Sequence, residues 1–198
     1  MTGDFAFEPV THVYRWRGQI VPSVTQILQA QGIIDYSHIP PATCEMALER
    51  GRLVHQLTQW DDEAALDETS VDRLLAPYLA AWRRFRAETA FCPDRIEYRS
   101  YDEIWRYAGT LDRTGSFGDG SMAVLDIKTN NAPEWVRLQI AAYQAFLPES
   151  RRFRRIAVEL HGDETYRMLE FRASKLTSDL SDFRAVLRAH QLRIEFNR

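Results

Sequence analysis

Two acids and an amine fall at a spacing that could handle a phosphate. Asp112 closes the run Tyr107-Ala-Gly-Thr-Leu-Asp112, and Asp126 and Lys128 lie in Val124-Leu-Asp-Ile-Lys-Thr129. Both runs read as short apolar strands, joined by the glycine-rich turn Gly115-Ser-Phe-Gly-Asp-Gly120. Side chains alternate along a strand, so Asp126 and Lys128 point to one side while Ala123, Leu125 and Ile127 point to the other, into core. Paired carboxylates suit a hard divalent cation, Mg²⁺ or Mn²⁺, and an ammonium beside them can offset charge on a phosphate.

Three more segments lie in order around this pair: Val21-Pro-Ser-Val-Thr-Gln-Ile-Leu28, Gly51-Arg-Leu-Val-His55 and Gln139-Ile-Ala-Ala-Tyr143. Together the set resembles the PD-(D/E)XK nuclease superfamily, and within it the RecB-like exonuclease branch. Gly51 to His55 is similar to the branch's Gly-x-x-x-His helix, and Gln139 to Tyr143 to its Gln-x-x-x-Tyr helix. Residues 21–28 resemble a segment of phage-type members and of the mitochondrial genome maintenance exonuclease. Several members of the branch carry a four-cysteine iron–sulfur cluster. This chain has only Cys44 and Cys92, so no such cluster is expected within it.

The resemblance implies an α/β fold, a central mixed β-sheet flanked by helices with a restriction-endonuclease-like core. It implies that His55, Asp112, Asp126 and the backbone carbonyl of Ile127 hold the metal. Lys128 would orient or deprotonate the attacking water and stabilise the pentacovalent phosphorane. Glu97, in Ile96-Glu-Tyr-Arg99, fits an acidic strand position that touches metal or organises the site, with a solvent-facing glutamate as the alternative. Gln139 and Tyr143 would brace the site and contact the DNA backbone, although Tyr143 could equally be core packing. The implied activity is a divalent-metal-dependent DNA exonuclease acting on single-stranded or free-ended DNA. The alternatives are a structure-specific endonuclease of the same fold, a non-catalytic nucleic-acid-binding module, or a subunit that needs a protein partner from DNA replication or recombination.

Further contacts to DNA are expected from basic and helix-capping residues. Ser23 and Thr25 stand at a helix N-terminus, where free amides favour phosphate, although Ser23 could be only a cap. Arg52, Arg113, Arg137 and the cluster Trp82-Arg-Arg-Phe-Arg86 are candidate backbone or stacking contacts. A second basic cluster is Arg151-Arg-Phe-Arg-Arg155. Trp82 and Phe85 also fit a buried stripe.

Composition sets the frame. A length of 198 residues with 45% hydrophobic content suits one globular domain over residues 1–198. The formal charge of −3 argues against a protein that coats DNA through general basicity. No apolar run approaches the ~20 residues of a bilayer span, and Met1-Thr-Gly-Asp-Phe5 lacks the look of a secretory leader. Two cysteines give no disulfide framework, which fits a reducing cytoplasm, and the resemblance of residues 21–28 implies that of a bacterium or phage-infected cell.

The elements that must position these residues can be read in outline. Thr11 to Val21 reads as a hairpin turning at Arg17-Gly18, followed by a capping box, Ser23 with Gln26, opening a helix to about Ala30. A second helix is expected from Thr43 to Trp60, then a solvated acidic loop from Asp61 to Glu68. Val71, Leu74, Leu75, Tyr78, Trp82 and Phe85 predict a helix over 70–89. Strands follow at 95–101, 104–112 and 122–128, then a helix from Pro133 to Phe146, strands at 155–161 and 165–172, and a C-terminal helix carrying Leu176, Leu180, Phe183, Leu187 and Ile194.

Overall fold

Five strands lie side by side in chain order, and the one parallel step among them decides the layout. The computed structural model describes residues 4–196, apart from the side chains of Pro148 and Ser150; Met1–Gly3, part of the stretch read for a leader, lie outside the described residues. β4 (Cys92–Asp102), β5 (Tyr107–Ser116) and β6 (Met122–Thr129) form an antiparallel meander. β6 then pairs in parallel with β7 (Arg154–Leu160), and β8 (Tyr166–Phe171) returns antiparallel. A parallel pair needs a crossover, which α4 (Val136–Gln144) supplies. The sheet is mixed and flanked by helices, as expected.

Each face of the sheet buries its own core. α1 (Val24–Ala30), α4 and α5 (Leu176–Phe196) cover one face, where Ile27, Leu28, Val124, Ile140, Phe183 and Leu187 are buried together. α2 (Pro41–Asp62) and α3 (Ala76–Thr89) cover the other, packing Val54, Trp82 and Phe85 on Leu125, Ile127, Ile156 and Val158. The alternation along β6 therefore puts Ala123, Leu125 and Ile127 into one core, as its sequence predicts. The capping box at Ser23 forms in full, with Gln26 N–H donating to Ser23 Oγ and Ser23 N–H to Gln26 Oε1.

A small antiparallel sheet, β1 (Phe5–Glu8), β2 (Val13–Trp16) and β3 (Gln19–Val21), sits at the start of β5. Tyr14 anchors it, buried against Val21 and Ala108 with its hydroxyl 2.6 Å from Thr110 Oγ1. The Arg17-Gly18 turn has φ of 49° and 77°, the pair of left-handed residues that a tight hairpin needs. The sequence reading gave two of these strands and missed β1.

Other boundaries moved for local reasons. α3 begins at Ala76, six residues later than expected: Pro77 is tolerated in a first turn but not in a helix interior, and the Asp72 carboxylate accepts the Leu74 N–H at 2.7 Å in the turn before it. Leu74 consequently leaves the apolar stripe and is 81% exposed. α2 runs on to Asp62, so Asp61 and Asp62 end a helix rather than begin a solvated loop. α4 starts at Val136, with Pro133 in the preceding turn.

Candidate metal and phosphate site

The β5–β6 ladder runs from Ser116 and Met122 to Arg113 and Leu125, and there it stops. Beyond that point β5 stays with β4 and β6 stays with β7, so the sheet forks where the sequence places Asp112 and Asp126. A side chain takes over from the ladder: Asp112 Oδ2 accepts the Ile127 N–H at 2.6 Å. Asp112 and Asp126 are both nearly inaccessible to solvent.

Two further side chains converge on Asp112. His55, from the α2 helix, places Nδ1 3.5 Å from Asp112 Oδ1 and 3.7 Å from Glu97 Oε1. Donor atoms of His55, Glu97 and Asp112 all lie within 4.8 Å of one another. The other imidazole nitrogen, Nε2, is 2.9 Å from the Ile127 carbonyl. Glu97 reaches the group from the middle of β4 with a φ of 46°, a left-handed conformation that a glutamate in a strand adopts only under local constraint. Part of that constraint is Arg113, whose Nη1 donates to Glu97 Oε1 at 3.0 Å.

The charges in this group are strongly interdependent. Burial opposes a charged imidazole, yet the Asp112 and Glu97 carboxylates outweigh it and hold His55 up to about 9. Burial, reinforced by the nearby Asp126 and Glu97 charges, pushes Asp112 up to about 7 even with His55 pulling the other way. Burial also works against ionised Glu97, but His55 and Arg113 hold its carboxyl below the usual range.

Lys128 and Asp126 form the adjoining half of the site. Lys128 Nζ lies 2.6 Å from Asp126 Oδ2 and donates to Gln139 Oε1 at 3.2 Å, and Gln139 Nε2 donates to the Tyr143 hydroxyl at 3.0 Å. The Asp126 contact is off hydrogen-bond geometry, which leaves that buried oxygen with an ionic neighbour and no hydrogen bond. Burial alone would favour the neutral amine, but Asp126 and Asp112 raise the Lys128 pKa and keep it an ammonium. Gly109 makes room for Tyr143, since a Cβ there would sit 2.6 Å from its ring.

The structure brings His55, Glu97, Asp112, Asp126, Lys128, Gln139 and Tyr143 to this fork. It treats several other expected residues differently. The Ile127 carbonyl, expected on the metal, faces His55 Nε2 and so orients the ring. At Gly51, one turn before His55, a Cβ would meet only Thr129 Oγ1 at 3.8 Å, so a side chain there is accommodated. Arg113 cannot serve as a DNA contact: it is fully buried and bonded to Asp62, Glu97 and Thr58. Arg137 is turned toward α5, paired with Asp179 and Asp182. Ser23 is a buried cap, Thr25 and Arg52 line the cleft, and Arg52 is tied to Glu49 through two hydrogen bonds.

The two basic clusters are largely neutralised from within. Arg83 pairs with Asp61 and Glu68, Arg84 with Glu88, Arg86 with Asp62, Arg154 with Glu170 and Arg155 with Asp179. Trp82 and Phe85 are fully buried in the core. Asp62, read as a loop residue, is in fact a buried partner of Arg113, Arg86 and Trp82. Its signal was available: Asp62 follows His55 by seven residues, two helical turns along one face.

A cleft of about 380 Å³ opens over the His55, Glu97 and Asp112 group, lined also by Phe7, His12, Tyr14 and Arg99. One imidazole and the Glu97 and Asp112 carboxylates form a donor set that fits a hard divalent cation, and the buried Asp126 Oδ2, without a hydrogen bond, lies in the adjoining ion pair with Lys128. No family model and no curated protein matches the chain. Among solved structures it is similar to a protein from Eubacterium rectale named putative exonuclease, at 11% identity over 70% of this chain and 66% of that one, with a TM-score of 0.48. It is also similar to an alkaline exonuclease from Laribacter hongkongensis, at 16% identity over 88% and 80% of the two chains, with a TM-score of 0.33.

Proposed function

We propose that this chain is a divalent-metal-dependent deoxyribonuclease, an exonuclease that hydrolyses phosphodiester bonds in single-stranded or free-ended DNA. The observation that carries the reading is the meeting of His55, Glu97 and Asp112 at the sheet fork, beside the Asp126–Lys128 ion pair. His55, Asp112 and Asp126, with Glu97 added by its position, are the residues that would hold the cation. Bound there, a divalent cation would supply Lewis acidity and neutralise charge on the scissile phosphate.

The protein's own groups have separable tasks in this scheme. Lys128, kept protonated by Asp126 and fixed by Gln139, would orient the attacking water and offset charge as the phosphorane forms. Tyr143 holds Gln139, and Gln139 holds Lys128, so both act by positioning the ammonium. Thr25 and Arg52 on the cleft wall are the proposed contacts to the DNA backbone. With most of the clustered arginines paired internally, much of the attraction for phosphate would come from the metal and a few cleft cations. That balance suits a strand entering a cleft better than a duplex lying across a basic face. No helix among the described residues is long and apolar enough to cross a membrane, and a cytoplasmic role in a bacterium or phage-infected cell fits this reading.

The test is a time course with Mg²⁺ or Mn²⁺ on end-labelled linear single-stranded, linear duplex and circular single-stranded DNA, with Lys128→Ala alongside. Loss of linear but not circular substrate, abolished in the variant, is the expected result. Cutting of circles would replace the exonuclease with an endonuclease of the same fold. No cleavage of any substrate with either metal would overturn the proposal.

A further inference from the structure

We infer that the cleft wall formed by Arg99, Phe7 and His12 is a stacking subsite for an unpaired nucleobase next to the scissile phosphate. The inference rests on the nuclease reading of the adjoining fork. Arg99 is exposed, makes no ion pair among the described residues, and lines the same cleft as His55, Glu97 and Asp112. Its guanidinium lies over the Phe7 ring, 4.5 Å from the centroid. Phe7 is in turn backed by Tyr14, with ring centroids 4.7 Å apart, and His12 meets both rings edge-on. Tyr14 is buried and bonded to Thr110, so the stack stands on a fixed base.

A guanidinium lying over an aromatic ring can offer its other side to a second flat partner. Nucleobases in single strands are recognised by stacking on such planes, and duplex bases cannot offer theirs. Arg99 follows Glu97 by two residues on β4, about 7 Å along the strand. A base stacked there therefore belongs to a nucleotide adjacent to the one at the metal ligands. Of the two cleft arginines, Arg52 is paired with Glu49 on its own helix, whereas Arg99 makes no ion pair among the described residues. The subsite thus requires a base that has left its helix.

The experiment compares cleavage of a linear single-stranded oligonucleotide with that of an otherwise identical one carrying abasic residues, for the wild type and for Arg99→Ala, Arg99→Lys and Phe7→Leu, with melting curves as folding controls. The wild type is expected to favour the base-containing strand about tenfold or more. Arg99→Ala should lose that preference, and Arg99→Lys should lose it too while keeping its charge, since an ammonium offers no plane. Phe7→Leu should weaken it. An undiminished preference in Arg99→Ala, or none in the wild type, overturns the subsite while cleavage itself leaves the nuclease reading standing. If the wild type cleaves neither strand, the nuclease reading fails, and fluorescence anisotropy with the same oligonucleotides decides the subsite. Base-dependent binding lost in Arg99→Ala would support it, and equal binding of both strands would overturn it.

Discussion

His55 and Ile127, 72 residues apart in the chain, meet with the imidazole Nε2 2.9 Å from the main-chain carbonyl. That one contact ties α2 to the forked end of β6 and aims the opposite nitrogen, Nδ1, at Asp112 and Glu97. An imidazole whose second nitrogen is fixed by a carbonyl has its orientation decided before any ligand arrives. His55→Ala should fold, lose most metal affinity, and cut DNA at least tenfold more slowly. His55→Gln, which can reach the Ile127 carbonyl but offers no imidazole, should be no better. Isothermal titration with Mn²⁺ measures this directly, and wild-type affinity in either variant would remove His55 from the ligand set.

Asp112→Asn is expected to abolish the heat of metal binding while leaving the fold intact, because an amide oxygen can still accept the Ile127 N–H. The melting temperature of the metal-free variant should match or exceed that of the wild type at pH 8. Burial and neighbouring acids disfavour the charged Asp112 carboxylate, and asparagine removes that penalty. Unchanged calorimetry would contradict the site.

Lys128→Ala should melt near the wild-type temperature and lose several orders of magnitude in single-turnover cleavage. Removing one preorganised charge from a forming oxyanion costs about 10²–10³ in rate, and the lysine is also placed to orient water. Gln139→Ala should show a smaller loss in the same assay, since it acts only by holding Nζ.

The pH dependence of the metal-free protein has a definite sign. His55 is raised from 6.5 to about 9 and Asp112 from 3.8 to about 7, so each binds its proton more tightly folded than unfolded. The stability they contribute is fully present below the unfolded values and is lost as pH rises through the folded ones. With EDTA present, the melting temperature should fall from about pH 6.5 to 9, and the fall should shrink in His55→Ala. Added Mn²⁺ should raise stability most at the upper end, where the ligands have already shed their protons. A metal-free profile that rises over this range would refute the assignment.

Arg113 and Gly109 give predictions about support rather than chemistry. Arg113→Met takes the buried guanidinium from between Asp62 and Glu97, leaving Asp62 with Arg86 and Glu97 with His55, and should cost about 3–5 kcal/mol in urea unfolding, with weaker metal binding as Glu97 loosens. Gly109→Ala drives a Cβ to 2.6 Å from the Tyr143 ring and should cost about 1–3 kcal/mol. Gly51→Ala brings only an ordinary contact with Thr129 Oγ1 and should be neutral or slightly stabilising, with activity retained.

The strands that carry Asp112, Asp126 and Lys128, the capped helix after Ser23, the apolar face of β6, and the Tyr78–Trp82–Phe85 and Phe183–Leu187 stripes of α3 and α5 were all legible in the chain, although Leu74 and Ile194 turned out exposed. These follow from local rules: side-chain period, capping chemistry and the geometry of glycine and proline. The sequence also listed most of the fork's side chains. Which basic residues are free depends on the packing of the whole molecule. Arg113, Arg137, Arg83, Arg86 and Arg155 are spoken for by Asp61, Asp62, Glu97 and Asp179, acids distant in the chain, and ion pairing between remote segments leaves no mark on local spacing. The tertiary structure decided too that Glu97 would turn inward at a φ of 46° to stand with His55 and Asp112, and that Phe7, His12 and Arg99 would share their cleft. Those placements depend on where β4 and the small N-terminal sheet dock, which is settled by packing over the whole molecule and not by any one stretch of residues.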